Sequence, residues 1–244
     1  MIIKNRGYNM HYYELTITAQ LGEDIGFICA GDRIGKSINR LMLEDSELTK
    51  LHGRDGFKHY VFNSFYPVEK DGVYKAGRVY VFKIRSLNED FAKRIKPLLS
   101  KSNIDFFRVL SIQSRTVKES FLSNLYTVTP VIVTTELGRN WAKEDDIILL
   151  QKRLQANLEK KYNDFFGVEF QKEEGNPFIQ RIELLNKKPI AIQYKKTKFL
   201  GNKFKIWVNE DEKSQKLAFI AMACGCGEKN TSVGAGFCTG GDRE

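Results

Sequence analysis

The chain contains three histidines, His11, His52 and His59, the side chain that most often moves protons near neutral pH. His11 stands just ahead of the first patterned segment without companions and is set aside. His52 closes the first helical pattern and opens the run His52-Gly-Arg-Asp-Gly-Phe-Lys58, where Arg54 and Lys58 supply cations for a phosphate. His59 lies beside Lys58 at the start of a strand pattern. Taken alone, a loop histidine is an ordinary exposed residue, and only the neighbouring cations favour a working one. If the scissile bond belongs to RNA, these groups suffice. The 2'-hydroxyl is an internal nucleophile, an imidazole takes its proton or protonates the leaving 5'-oxygen, and Lys or Arg neutralises charge developing on phosphorus. Such chemistry needs no metal and no cofactor, and no carboxylates or histidines stand at metal-ligand spacing in the sequence.

A second constellation lies near the C-terminus. Gly225-Cys226-Gly227 and Gly234-Ala235-Gly236 bracket a polar hexapeptide that carries Lys229. Two readings stand side by side: a backbone whose amides converge on a phosphate, or a long flexible turn near a chain end. Upstream, Lys187, Lys188, Lys195, Lys196, Lys198, Lys203 and Lys205 fall in a stretch without an acidic residue, interleaved with Tyr194, Phe199 and Phe204. That pattern fits a basic hairpin for phosphates with rings for bases, and equally a solvated edge whose lysines resist strand pairing. The nucleic-acid-binding candidates are therefore Gly225, Gly227, Lys229, Gly234, Gly236, Lys195, Lys196, Lys198 and Lys203.

Composition supports a polyanionic partner. The 244 residues carry 39 Lys+Arg against 30 Asp+Glu, a net charge of +9. Nucleic acid is the first partner this suggests, an anionic membrane surface the second, and plain solubility the neutral alternative. Cys29, Cys224, Cys226 and Cys238 are too few and too unevenly spaced for a disulfide framework, and Cys224-x-Cys226 lacks the spacing and histidines of a zinc site. They read as reduced residues of a cytoplasmic protein. No apolar run has the length of a membrane span, and the first residues lack a signal-peptide core.

The elements that would position these groups follow from hydrophobic period. Tyr12 to Ala19 alternates as a half-buried strand. Gly31-Asp32 reads as a turn into a helix through Ile34, Ile38, Leu41 and Met42, with Asp32 as its cap and a break near Asp45. Tyr60 to Phe65 and Val79 to Arg85 are strands, Asn88 caps a helix that Pro97 ends near Lys96, and Phe106 to Gln113 is a strand. Thr116 to Thr127 is a connecting strand or hairpin. Pro130 to Thr135 then starts a second round, followed by a helix from about Lys143 to Asn163 with Glu144, Asp145 and Asp146 at its positive end. Extended segments at Ile179 to Leu185, Ile190 to Lys196 and Phe199 to Val208 precede a helix from Glu210 to Ala223, and Ala235 to Thr239 is a last strand. The order strand, helix, strand, strand, helix, strand occurs twice. The expectation is an α+β chain of two tandem ferredoxin-like (RRM-like) βαββαβ domains, 1–115 with the catalytic histidine and 116–244 with the glycine-rich loop.

This architecture, together with the doubled Gly-x-Gly run Gly225 to Phe237 after an apolar helix, resembles the CRISPR-associated repeat-specific endoribonucleases, RAMP-type proteins with a C-terminal glycine-rich loop. Members of that family commonly place a catalytic His after the first helix and a Lys a few residues on, positions that His52 and Lys58 match. Some also use a Tyr from the preceding helix. Gly31 to Leu51 contains none, and Ser37, which lies there, is given no role. The resemblance implies metal-independent cleavage of precursor CRISPR RNA within its repeats, leaving a 2',3'-cyclic phosphate and a 5'-hydroxyl. The implied partners are repeat RNA and a CRISPR interference complex, with a homodimer left open. The alternative is a non-catalytic repeat-binding protein of the same fold. A nucleotide-cofactor loop is disfavoured, because dinucleotide fingerprints follow a strand and open a helix, whereas this loop follows a helix.

Overall fold

The computed structural model describes residues 10–101, 104–135, 141, 146–170 and 177–241. Its first sheet is built from β1 (His11–Leu21), β3 (Tyr60–Phe62), β5 (Val79–Ser86) and β6 (Phe107–Lys118), in the order β3-β5-β1-β6 with antiparallel neighbours. A two-residue pairing of β2 (Ile25–Gly26) with β4 (Val73–Tyr74) stands apart from it. The period-2 pattern turns Leu15, Ile17, Phe82 and Ile84 inward, where they meet Ile34 and Ile38 of α1 (Phe27–Met42) and Phe91 and Ile95 of α3 (Glu89–Lys101). Between α1 and β3 lies α2 (Ser46–Gly53), started by Asp45, whose carboxylate accepts from the amides of Glu47 and Leu48.

The second sheet repeats the plan. It comprises β7 (Asn124–Thr127), β8 (Ile179–Leu184), β11 (Phe204–Val208) and β12 (Cys238–Gly240), in the order β12-β7-β11-β8. Counting strands within each unit, both sheets read 4-1-3-2, the ferredoxin-like order expected from the sequence. Helices α4 (Ile147–Phe166) and α5 (Glu212–Cys224) pack on one another, and Leu150, Leu154 and Leu158 share a core with Leu217, Ile220 and the inner faces of β7 and β11. An extra hairpin, β9 (Ile190–Tyr194) with β10 (Thr197–Gly201), is inserted between β8 and β11, and a short α6 (Asn230–Val233) sits inside the glycine stretch.

Four local expectations are corrected. Asp32 does not cap α1, which begins at Phe27; Asp32 is buried within the helix and paired with Lys36. Gly31 stays helical too, so its lack of a side chain serves close approach instead of a turn. Pro97 lies inside α3, because the apolar stripe Phe91, Ile95 and Leu99 continues past it and its burial outweighs one lost amide. Pro130 to Thr135 forms no strand but isolated bridges, among the described residues Val131 to Asn202 and Ile132 to Glu228, and the second unit opens on β7. Of the acidic helix start, Asp146 caps α4 through the amide of Leu149, while residues 143–145 lie outside the described residues.

The two units are joined by a buried charge cluster. Glu14 on β1 is 1% exposed and receives Arg85 Nε at 2.6 Å, Lys83 Nζ at 3.1 Å and Arg115 Nε at 2.9 Å. Burial opposes its ionisation, but Arg85 and Lys83 overcome that and hold the carboxyl below the usual range. Arg85 then crosses to the second unit, donating to the carbonyls of Cys238 at 2.6 Å and Met222 at 3.2 Å, with its guanidinium 4.3 Å from the Phe237 ring centroid.

Candidate nucleic-acid site

The glycine stretch is a wedge driven between the units. In α1, Gly31 and Gly35 are one helical turn apart, and a Cβ on them would lie 2.3 Å from the Val233 carbonyl and 2.2 Å from that of Ser232. Only glycine lets α6 seat this closely on α1. Within the stretch, Gly234 and Gly236 have φ of +67° and +68°, and a Cβ would stand 2.4 Å from the Phe62 carbonyl oxygen and 1.8 Å from that of Cys226. The amides of Gly225, Cys226, Glu228, Gly234 and Gly236 donate to protein carbonyls, and that of Phe237 donates to Thr129 Oγ1. The glycines Gly225, Gly227, Gly234 and Gly236 are buried, and the polar residues between them are what the stretch presents outward. Lys229 is exposed, and Thr231 and Ser232 are partly exposed.

Beneath the wedge lies Lys161 of α4, 2% exposed, donating to the carbonyls of Gly225 at 2.7 Å and Gly227 at 3.0 Å and to Asn230 Oδ1 at 2.8 Å. Burial pushes its pKa down to about 8, so at neutral pH the ammonium keeps its proton while those three oxygens hold it. Sequence reasoning passed over this residue, yet a signal was there. Lys161 continues the spacing of Leu150, Leu154 and Leu158, and a lysine in a core register needs partners.

A cavity of about 320 Å³ opens against the wedge, lined among others by Lys58 and His59 from the first unit, Asn157 and Lys161 from α4, and Gly227, Lys229, Thr231 and Ser232 from the stretch. Lys58 and Lys229 at its edge, with the buried Lys161 charge beneath, make a site suited to a phosphate. Lys58, Gly227 and Lys229 are thus brought together from distant parts of the chain. His52 is half-buried in the last turn of α2 and is not among the residues lining the cavity; its Nδ1 is buried without a hydrogen-bond partner among the described residues. His59 is the histidine that lines it, 6% exposed, with Nε2 2.7 Å from Asp164 Oδ2.

The lysine hairpin closes one flank. It lies along α1 and α6, with Tyr194 and Phe199 packed near Ile132 and Val233. The two-residue turn Lys195-Lys196 has Lys195 at φ +52°, its amide bonded to the buried Asp32 at 3.3 Å. Lys195 Nζ stands 5.3 Å from the Tyr194 ring and Lys229 Nζ 5.5 Å from the Phe199 ring. Lys195, Lys196 and Lys198 are exposed. Lys203 is half-buried in the connection from β10 to β11, with its amide on Asn186 Oδ1. Elsewhere, Trp207 and Tyr126 on the open face of the second sheet flank Lys205, with Arg181 also over Trp207, a cluster the sequence reading did not collect.

None of the curated proteins matches this sequence. Among solved structures, one titled "CRISPR associated protein Cas6" is 19% identical over 95% of this chain and 100% of its own, with a TM-score of 0.68. Another, "An RAMP protein binding different RNA substrates", is 20% identical over 94% of this chain and 100% of its own, with a TM-score of 0.71. A Cas6-related protein from Pyrococcus furiosus is 18% identical over 97% and 100%, with a TM-score of 0.68. At these identities the likeness is one of fold, and it extends along nearly the whole chain. The family model described as "CRISPR associated protein Cas6, C-terminal" matches residues 113–239, the second sheet with its hairpin and glycine wedge. By that match the chain belongs to the CRISPR-associated Cas6 family.

Proposed function

We propose that this protein is an endoribonuclease that cuts precursor CRISPR RNA within its repeats, without a metal, leaving a 2',3'-cyclic phosphate and a 5'-hydroxyl. The observation that carries the reading is the placement of Lys58 and Lys229, over the buried Lys161, at one cavity between the two units of a Cas6-family chain. One of the similar structures is titled a Cas6 product complex and another a Cas6 substrate-mimic complex, which supports RNA as the guest. In this scheme the exposed lysines of the hairpin and Lys229 hold the strand by its phosphates, while Lys58 meets charge developing on the scissile phosphate. His52 is the general acid or base. It stands outside the cavity lining, and RNA that runs from the cavity along α2 would bring the bond to it. The glycines act on RNA indirectly, by setting where Lys229, Thr231 and Ser232 stand.

The test is cleavage of a synthetic repeat RNA in chelator by the protein and by His52→Ala, with binding measured alongside. The variant is expected to bind within about threefold of the parent and to cut about 10²- to 10⁴-fold more slowly. Undiminished cutting removes His52 from the mechanism. A substrate with a 2'-deoxy residue at the cut site is expected to bind and survive, and its cleavage would exclude the internal nucleophile. Tight binding without cutting by the unaltered protein selects the non-catalytic reading.

A further inference from the structure

Directly after Lys58, His59 holds a backbone conformation that few side chains accept, with φ +52°. Such a residue persists only where its surroundings over-determine it. Here the surroundings are explicit. The His59 carbonyl accepts from Ser86 Oγ at 2.9 Å and from the Leu87 amide at 3.1 Å. Its ring packs edge-on against Phe165 at 5.0 Å. Nε2 lies 2.7 Å from Asp164 Oδ2, and since a carboxylate only accepts, Nε2 carries the proton and Nδ1 is left as the bare nitrogen, buried without a partner among the described residues.

Asp164 does more than hold one ring. Arg54 Nη2 reaches both of its oxygens, at 3.0 and 3.1 Å, so one carboxylate on α4 grips the segment Arg54 to His59 at both ends. The residues between are Asp55, Gly56, Phe57 and Lys58. The backbone that carries Lys58 is not a loose loop, because it is tied to the other unit on either side. This matters because a transition state rewards a cation only at a fixed place; a displacement of about 1 Å can lower a rate about a hundredfold.

We propose that Asp164 is a positioning residue, which through the strained His59 and through Arg54 fixes Lys58 in the cavity and so makes the second unit part of the catalytic arrangement. The inference rests on the reading of Lys58 as the phosphate-stabilising group. It assigns no chemistry to Asp164 or to His59.

The experiment measures single-turnover cleavage of repeat RNA and the RNA dissociation constant separately for Asp164→Ala, His59→Ala and the double variant. Alongside these, backbone amide exchange over residues 54–60 is followed in the RNA-free proteins. Asp164→Ala is expected to slow cleavage about 10- to 100-fold, with binding changed less than about threefold and exchange faster in 54–60 alone. The double variant is expected to be little slower than the slower single one, since both act through the same backbone. His59→Asn, whose side chain tolerates positive φ, is expected to recover much of the rate that His59→Ala loses. Cleavage at the parent rate by Asp164→Ala overturns the proposal, as do parallel losses of binding and cleavage, or losses in the double variant equal to the product of the single ones. If the unaltered protein cuts no repeat RNA, the functional reading fails. The exchange measurement then still decides the positioning, and unchanged exchange in 54–60 overturns it.

Discussion

Gly234→Ala tests the wedge directly. The substitution forces an alanine into φ +67° and puts its Cβ 2.4 Å from the Phe62 carbonyl oxygen and 2.8 Å from two carbons of the Phe62 ring. The left-handed conformation alone costs a residue with a Cβ about 1–2 kcal/mol. Relieving the clash means moving the β3 backbone off α6, and overpacking of this kind adds about 1–3 kcal/mol. The expected loss is then about 2–5 kcal/mol, and at about 2–4 °C per kcal/mol for a chain of this size the melting temperature falls by roughly 4–20 °C. Gly72→Ala separates the two contributions, because Gly72 has φ +73° with no described atom within 4 Å of the Cβ position. It is expected to lose only the conformational part, roughly 2–8 °C. Any gain from a stiffer unfolded chain is common to both variants and cancels in the comparison. Thermal unfolding and urea unfolding of the two variants beside the parent measure the difference. Equal losses at the two positions would refute the close fit of the glycine wedge against β3.

Further outcomes are expected at the charged sites. Replacing Lys195, Lys196 and Lys198 together by Ala should weaken RNA binding and flatten its salt dependence. At about 0.7 per phosphate on a single strand, the slope of log K against log salt drops by about 2, read from dissociation constants between low and moderate salt. Glu14→Gln removes the charge that neutralises buried Arg85, and about 3–5 kcal/mol of stability should go with it in urea unfolding. Because the Glu14 carboxyl is held below its ordinary range, its contribution is full above the unfolded value near 4.3 and is lost as pH falls through the folded one, so the variant should lose this acid dependence. His59 is held below the ordinary imidazole value, first by burial, with Arg54 and Lys161 adding to it and Asp164 opposing. The unfolded chain therefore binds more protons, and stability should fall as pH drops below about 6.5. In His59→Asn that part of the slope should vanish.

Much of this molecule is written in local pattern. The alternation of Tyr12 to Ala19, the aromatic β-branched run Val79 to Arg85 and the leucine stripe of α4 each specify an element by its period, and their order is enough to place two ferredoxin-like units in one chain. The same local pattern misread Asp32, Pro97 and Pro130 to Thr135, in each case because burial against a neighbour decided what a cap, a breaker or an extended run would do. The site was legible as types of residue: Lys58, Lys229, the hairpin lysines and the glycines all stand out on the page. What the glycines do was not legible, because their partners Gly31, Gly35 and Phe62 are distant in sequence and only a tertiary fit makes a missing Cβ necessary. Asp164 was hidden for the same reason, whereas Lys161 showed in the sequence only as a lysine in a core register, without its partners. Sequence determined by itself the fold class, the basic character and the cations available for a phosphate. The tertiary structure alone decided which of those cations share a cavity and that a carboxylate of the second unit grips the segment bearing Lys58, because burial and distance between remote residues exist only once the chain has closed on itself.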